Sequence, residues 1–144
     1  FACIIWYSNE TGRERIEDYR GLSRTNPLMA LAMMVGLFSL AGIPPLSGFV
    51  GKFFLFSIAS AAGYHWLVAV AAVNSTVSLY YYLRIVRQMY IEPAPDAAAP
   101  LPSGRALATA IGVLAAAVAL LGIVPWFYEQ VHAGAVLWAA AVLR

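Results

Sequence analysis

One charge stands alone in a long apolar stretch. Between Leu28 and Gly63, thirty-six residues carry a single formal charge, Lys52. A charged side chain at the centre of a bilayer costs between about 2.5 kcal/mol and well over 10 kcal/mol. Such a group faces protein or water, and it marks routes for ions. Desolvation disfavours an ammonium, so a lysine in a dry site can release and regain a proton, which a permanently charged guanidinium cannot do. Shortly before Lys52 the chain reads Gly42-Ile43-Pro44-Pro45-Leu46-Ser47-Gly48. Each proline removes a backbone donor and crowds the preceding turn, and Gly42 and Gly48 tolerate dihedrals other residues resist. The pattern predicts a helix broken at Gly42, Pro44, Pro45 and Gly48, with an unwound stretch that admits water beside Lys52. That combination fits proton transfer. The competing structural reading is a lysine that snorkels to an interface or pairs silently with an acid. No acid lies between Asp18 and Glu92, so any buried counter-charge comes from residues outside this chain.

Other polar groups are weaker candidates. His65, beside Tyr64 and Trp66, could relay protons at the far side; an interfacial histidine is the alternative. Asn74, Ser75, Thr76 and Ser78 form a stripe suited to interhelical hydrogen bonds more than to a water wire. Glu129 and His132 stand three apart and can pair on a helix surface. The single cysteine, Cys3, has no partner for a disulfide within the chain. No metal-ligand spacing, phosphate loop, nucleophile elbow or haem motif is present, so neither metal nor cofactor is expected on this chain.

These residues need a membrane to position them. Of 144 residues, 62% are hydrophobic and 11% charged, and mean hydropathy is +0.74. Soluble domains carry about 25% charged residues. The composition points to an integral membrane protein and excludes disorder, collagen and a disulfide scaffold. A net charge of +2 is too small and scattered for nucleic acid.

The expected architecture is all-α, a polytopic transmembrane bundle with one discontinuous helix. Residues 1–7 read as the end of a transmembrane helix that starts upstream, making the chain a carboxy-terminal piece of a longer protein. Residues 8–26, with eight charges, form a loop in which Ile16, Tyr19 and Leu22 allow a short surface helix. Asn26-Pro27 pairs a good N-cap with a favoured first helical residue. Residues 27–63 form the broken helix, in halves at about 28–43 and 49–62. Unbroken, Leu28 to Gly63 would extend about 54 Å, against a hydrocarbon core of about 30 Å. Residues 64–83 make a full span, 84–105 a proline-marked linker and 106–124 a further span. Residues 125–144 form a terminal interfacial segment whose apolar part is too short to cross. The two long connections hold seven of nine Lys and Arg, which places both in the cytoplasm under the positive-inside rule.

The stretch Ser39-Leu40-Ala41-Gly42-Ile43-Pro44-Pro45-Leu46-Ser47-Gly48-Phe49-Val50-Gly51-Lys52-Phe53, with Asn26-Pro27-Leu28 before it, resembles the antiporter-like, proton-pumping subunits of respiratory complex I. Arg15 to Leu22 and Tyr80 to Arg84 support the likeness, which covers most of residues 8–90. The resemblance implies a fragment of a fourteen-helix fold built from two inverted repeats, each with one discontinuous helix. This chain would hold the end of the eleventh helix and helices twelve to fourteen, with Lys52 at the family's helix-twelve lysine, which passes protons to or from the outer side. One sister subunit carries glutamate there, and another follows Pro-Pro with Ser-Lys-Asp; Gly51-Lys52-Phe53 sets this chain apart from both. The first repeat, its Glu-Lys pair and the central lysine lie outside the chain.

The resemblance further implies a translocase subunit of a bacterial inner membrane. The lipid bilayer, sister antiporter-like subunits and other membrane subunits would be its partners. NADH, FMN, iron–sulfur clusters and quinone would serve the whole complex in other subunits. Alternatives are a subunit of a multi-subunit sodium/proton antiporter or membrane-bound hydrogenase, a secondary transporter whose Lys52 holds an anionic substrate, and a structural membrane subunit without an ion path.

Overall fold

The computed structural model describes residues 1–94 and 100–123, and every regular element among them is helical. Six α-helices follow in order: α1 (Ala2–Thr11), α2 (Leu22–Thr25), α3 (Pro27–Ala41), α4 (Ser47–Ala61), α5 (His65–Tyr90) and α6 (Arg105–Ile123), with a 3₁₀ turn at Ile16–Tyr19 before α2. By length and composition α5 and α6 can each cross a membrane, while α3 and α4 are apolar helices of 15 residues.

The hub is α3, which touches α1, α2, α4, α5 and α6. Its buried residues include Met29, Met33, Leu37 and Ala41, spaced four apart, with Ala30 and Ala32 beside them. Residues four apart share one face of a helix, and the alanines let neighbouring backbones approach closely. Trp6, Tyr7, Tyr19, Leu22, Met89 and Ile111 complete the core. This core sits where the 8–26 segment meets the end of α5. The Tyr7 and Tyr19 rings stack there with centroids 4.4 Å apart, and the Tyr7 hydroxyl donates to the Asp18 carbonyl. Burial, then the neighbouring Tyr7, Glu14 and Asp18, pushes the Tyr19 phenol above its usual pKa.

Several boundaries differ from the sequence expectation. Helix α1 continues to Thr11, past residue 7. Its polar last turn extends beyond the apolar run, and it ends only at Gly12, which is left-handed at φ 66°. The surface helix expected around Ile16, Tyr19 and Leu22 is divided, because Gly21 at φ 67° turns the chain between the 3₁₀ turn and α2. Helix α5 runs 26 residues, to Tyr90, rather than ending at 83. Arg84, Arg87 and Gln88 are good helix formers, so the charges mark the membrane edge but not the helix end. The linker expected at 84–105 is correspondingly shorter. The break lies at 42–46, between halves at 27–41 and 47–61. Residues 125–144, with Glu129 and His132, lie outside the described residues.

Both basic connections gather at one end of the bundle. The Gly21 N–H donates to the Gln88 carbonyl at 3.2 Å, and Arg20 Nε donates to Gln88 Oε1 at 3.3 Å. A Cβ on Gly21 would strike Ala94, so this approach requires glycine. Asn26 is buried and serves two elements. Its Oδ1 accepts the Met29 N–H at 3.1 Å, capping α3, and its Nδ2 donates to the Leu101 carbonyl at 2.8 Å.

Asn26→Ala removes both bonds and is expected to cost about 1–3 kcal/mol, whereas Asn26→Ser keeps the cap and should fall between. Thermal midpoints of the purified membrane protein test the order; equal midpoints for all three would contradict the double role.

Candidate functional site

The last four carbonyls of a helix have no partner within it, and in a bilayer interior no solvent replaces one. At the end of α3 all four are satisfied. The Phe38 carbonyl accepts the N–H groups of Gly42 at 3.1 Å and Ile43 at 3.0 Å, and the Ser39 carbonyl accepts that of Gly42 at 3.0 Å. This is a Schellman-type stop, and it requires Gly42 in the left-handed region at φ 85°. Lys52 serves the remaining two. Its Nζ donates to the Leu40 carbonyl at 2.8 Å and the Ala41 carbonyl at 3.1 Å. The ammonium thus sits on the negative end of the α3 dipole, where a cation is favoured. A Cβ at Gly42 would come within 3.1 Å of Lys52 Cδ.

The start of α4 is capped in return from α3. Ser39 Oγ accepts the Gly48 N–H at 3.1 Å and lies 3.4 Å from Ser47 Oγ. A Cβ on Gly48 would fall onto the Ser39 carbonyl oxygen. Between the half-helices, Leu46 N–H donates to the Ile43 carbonyl at 3.1 Å. Each half-helix therefore carries the side chain that closes the other. Helix α6 covers the break from one side, with Gly122 against Pro45, Leu46 and Ser47; a Cβ there would meet the Pro45 carbonyl oxygen.

Lys52 is partly exposed. Among the described residues the recorded ion pair is Arg87–Glu92, and Lys52 is held by carbonyl oxygens. It lies on helix-end dipoles beside unwound backbone. Gly42, Pro44, Pro45 and Gly48 are brought together with it at the break. His65 is not. Its Nδ1 lies 3.1 Å from Ser60 Oγ at the turn between α4 and α5, and Ser60 is about 12 Å along α4 from Lys52. In the polar stripe, Thr76 and Ser78 donate to the Ala72 and Asn74 carbonyls of their own helix. Among the described residues no cluster of three or more His, Cys, Asp or Glu could hold a metal.

Two residues of the site went unnoticed in the sequence. Ser39 carries a signal, being the hydroxyl in the turn before the Gly-Ile-Pro-Pro break. Gly122 carries none, because one glycine in an alanine-rich helix does not reveal which backbone it meets.

Ser39→Ala strands the Gly48 N–H and should lower stability by about 1–3 kcal/mol. Gly122→Ala should also destabilise, by pushing α6 off the break. Gly112→Ala, with open space at its Cβ, should be neutral or stabilising by up to about 1 kcal/mol. Thermal midpoints of the assembled protein read all three; equal effects of the two glycine substitutions would contradict the contact.

The family described as "NADH:quinone oxidoreductase/Mrp antiporter, TM" matches residues 1–78. NADH-quinone oxidoreductase subunit N of Phocaeicola vulgatus is 41% identical over 126 residues, which is 88% of this chain and 27% of that protein. NAD(P)H-quinone oxidoreductase subunit 2 of Trichormus variabilis is 47% identical over 92 residues, 64% of this chain and 18% of that one. A chain of respiratory complex I from Thermus thermophilus, solved with bound aureothin, superposes with a TM-score of 0.70 at 35% identity, over 78% of this chain and 26% of that one. The chain spans between 17% and 28% of the length of the curated relatives it matches. With its discontinuous helix, its apolar bundle and a family match over more than half its length, the chain belongs to the membrane-embedded NADH:quinone oxidoreductase/Mrp antiporter family.

Proposed function

We propose that this chain is part of a membrane subunit of proton-translocating NADH-quinone oxidoreductase, and that Lys52 exchanges protons along its path. The observation that carries the proposal is the Lys52 ammonium bonded to the Leu40 and Ala41 carbonyls at the break. The relatives named subunit N, similar over most of the chain, support the assignment to that complex.

The chemistry follows from the caps. Charged, Lys52 closes α3 and is drawn to its negative end. Neutral, it keeps two N–H donors but loses that attraction, and water in the unwound stretch can take over the two carbonyls. Proton gain and loss are thereby tied to two arrangements of the break. Electron transfer from NADH through FMN and iron–sulfur clusters to quinone belongs to other subunits, and it drives the alternation at Lys52. The partners are other membrane subunits of the complex, including sister antiporter-like ones, in a bacterial inner membrane. The end of the bundle bearing residues 8–26 and the linker faces the cytoplasm, consistent with its arginines. His65 stands at the opposite end.

A second reading rests on the family description, which also covers the Mrp antiporter. Under it the same lysine exchanges protons against sodium, without NADH.

Lys52→Ala and Lys52→Arg, in vesicles carrying the assembled complex, are expected to lower NADH-driven proton uptake about tenfold or more, a barrier rise of at least ~1.4 kcal/mol. Quinone reduction should slow in step, because coupled steps stall together. Normal rate and proton stoichiometry in Lys52→Ala would remove Lys52 from the path. Proton movement driven by a sodium gradient in the absence of NADH would instead favour the antiporter reading.

A further inference from the structure

Nineteen residues of α5 separate His65 from Arg84, a rise of about 28 Å and close to one hydrocarbon thickness of about 30 Å. With His65 at one membrane edge, that rise puts Arg84 at the other, at the end of the bundle where residues 20 and 21 bond Gln88. On the outer face of α5 a groove of about 340 Å³ opens there, lined by Tyr80, Leu83, Arg84, Val86, Arg87 and Ile91. Its wall is mostly apolar, and Arg84 and Arg87, one helical turn apart, border it. Arg87 is held by Glu92 at 3.1 Å, with 67% of its side chain exposed. The Arg84 side chain makes no hydrogen bond or ion pair among the described residues. Tyr80 and Ile91, at the two ends of the groove, are 67% and 74% exposed.

A free cation above an apolar slot, at headgroup depth, calls for a ligand with an anionic head and a hydrocarbon tail. We propose that this groove binds one anionic phospholipid. Its phosphodiester lies on Arg84, with Arg87 beside it, and one acyl chain descends past Leu83 and Tyr80. The planar guanidinium matches two phosphate oxygens, and cations at the membrane surface attract anionic lipid. Tyr80 lies one turn deeper, where an amphipathic ring suits the boundary. A zwitterionic lipid brings its own cation toward the two arginines and binds less well. Glu92 competes with phosphate for Arg87 and so weakens the site. The inference requires that the chain lies in a membrane with this face of α5 toward lipid, and it is independent of any role for Lys52.

The test uses the assembled membrane complex in nanodiscs of phosphatidylcholine with a minor share of photoreactive phosphatidylglycerol, or with photoreactive phosphatidylcholine as the control. Phosphatidylglycerol label should appear on the peptide carrying residues 80–91. Arg84→Gln should lower it about fivefold, Arg84→Lys should retain most of it, and Glu92→Gln should raise it, with phosphatidylcholine label unchanged throughout. Equal phosphatidylglycerol labelling in Arg84→Gln and the parent would overturn the site, as would a parallel fall in phosphatidylcholine label. If Arg84→Gln fails to assemble, the Glu92→Gln complex decides: labelling at or below the parent level overturns the proposal.

Discussion

Helix ends cannot be left bare inside a membrane, and the whole arrangement around Lys52 answers that constraint. Breaking one helix into α3 and α4 creates orphan carbonyls on one side and orphan N–H groups on the other. The chain closes them crosswise. Lys52 of α4 takes the last two carbonyls of α3, and Ser39 of α3 takes the N–H of Gly48 in α4. The glycines are forced by the same closeness: Gly42 by its left-handed turn, and Gly48 by its approach to the Ser39 carbonyl. The residue proposed to move protons is thus also the residue that keeps the break closed.

The rest of the bundle supports this junction. Helix α3 supplies the common face against which α1, α2, α4, α5 and α6 rest. Its start is fixed by Asn26, which also ties down Leu101 and so guides the chain into α6. Helix α6 then returns to the break, where Gly122 lets its backbone lie against Pro45 to Ser47. A single buried asparagine at one end therefore helps place a covering helix at the other.

Much of this is legible in the sequence because it rests on local chemistry. Two adjacent prolines between glycines announce the break, one charge in thirty-six residues announces the special side chain, and Asn-Pro announces where α3 begins. The caps on Lys52 are a different matter. Hydropathy shows that no acid of this chain lies near Lys52, but it does not show that backbone carbonyls twelve and eleven residues earlier accept from its Nζ. Those acceptors exist at every residue and carry no sequence signal. The end of α5 is misjudged for a related reason, since charge reports membrane depth and says little about where helical hydrogen bonding stops. The contacts of Gly21 with Ala94 and of Gly122 with Pro45 depend on which distant backbone arrives.

Cohesion is distributed unevenly along the bundle. Met29 and Met89 are wholly enclosed near the loop end, while α4 encloses no residue at all. Resistance to local opening follows enclosed apolar contact. The half-helix that bears the lysine is thus held by its crosswise caps with α3 and not by enclosed side chains, while the opposite end of the bundle is anchored by Met29 and Met89.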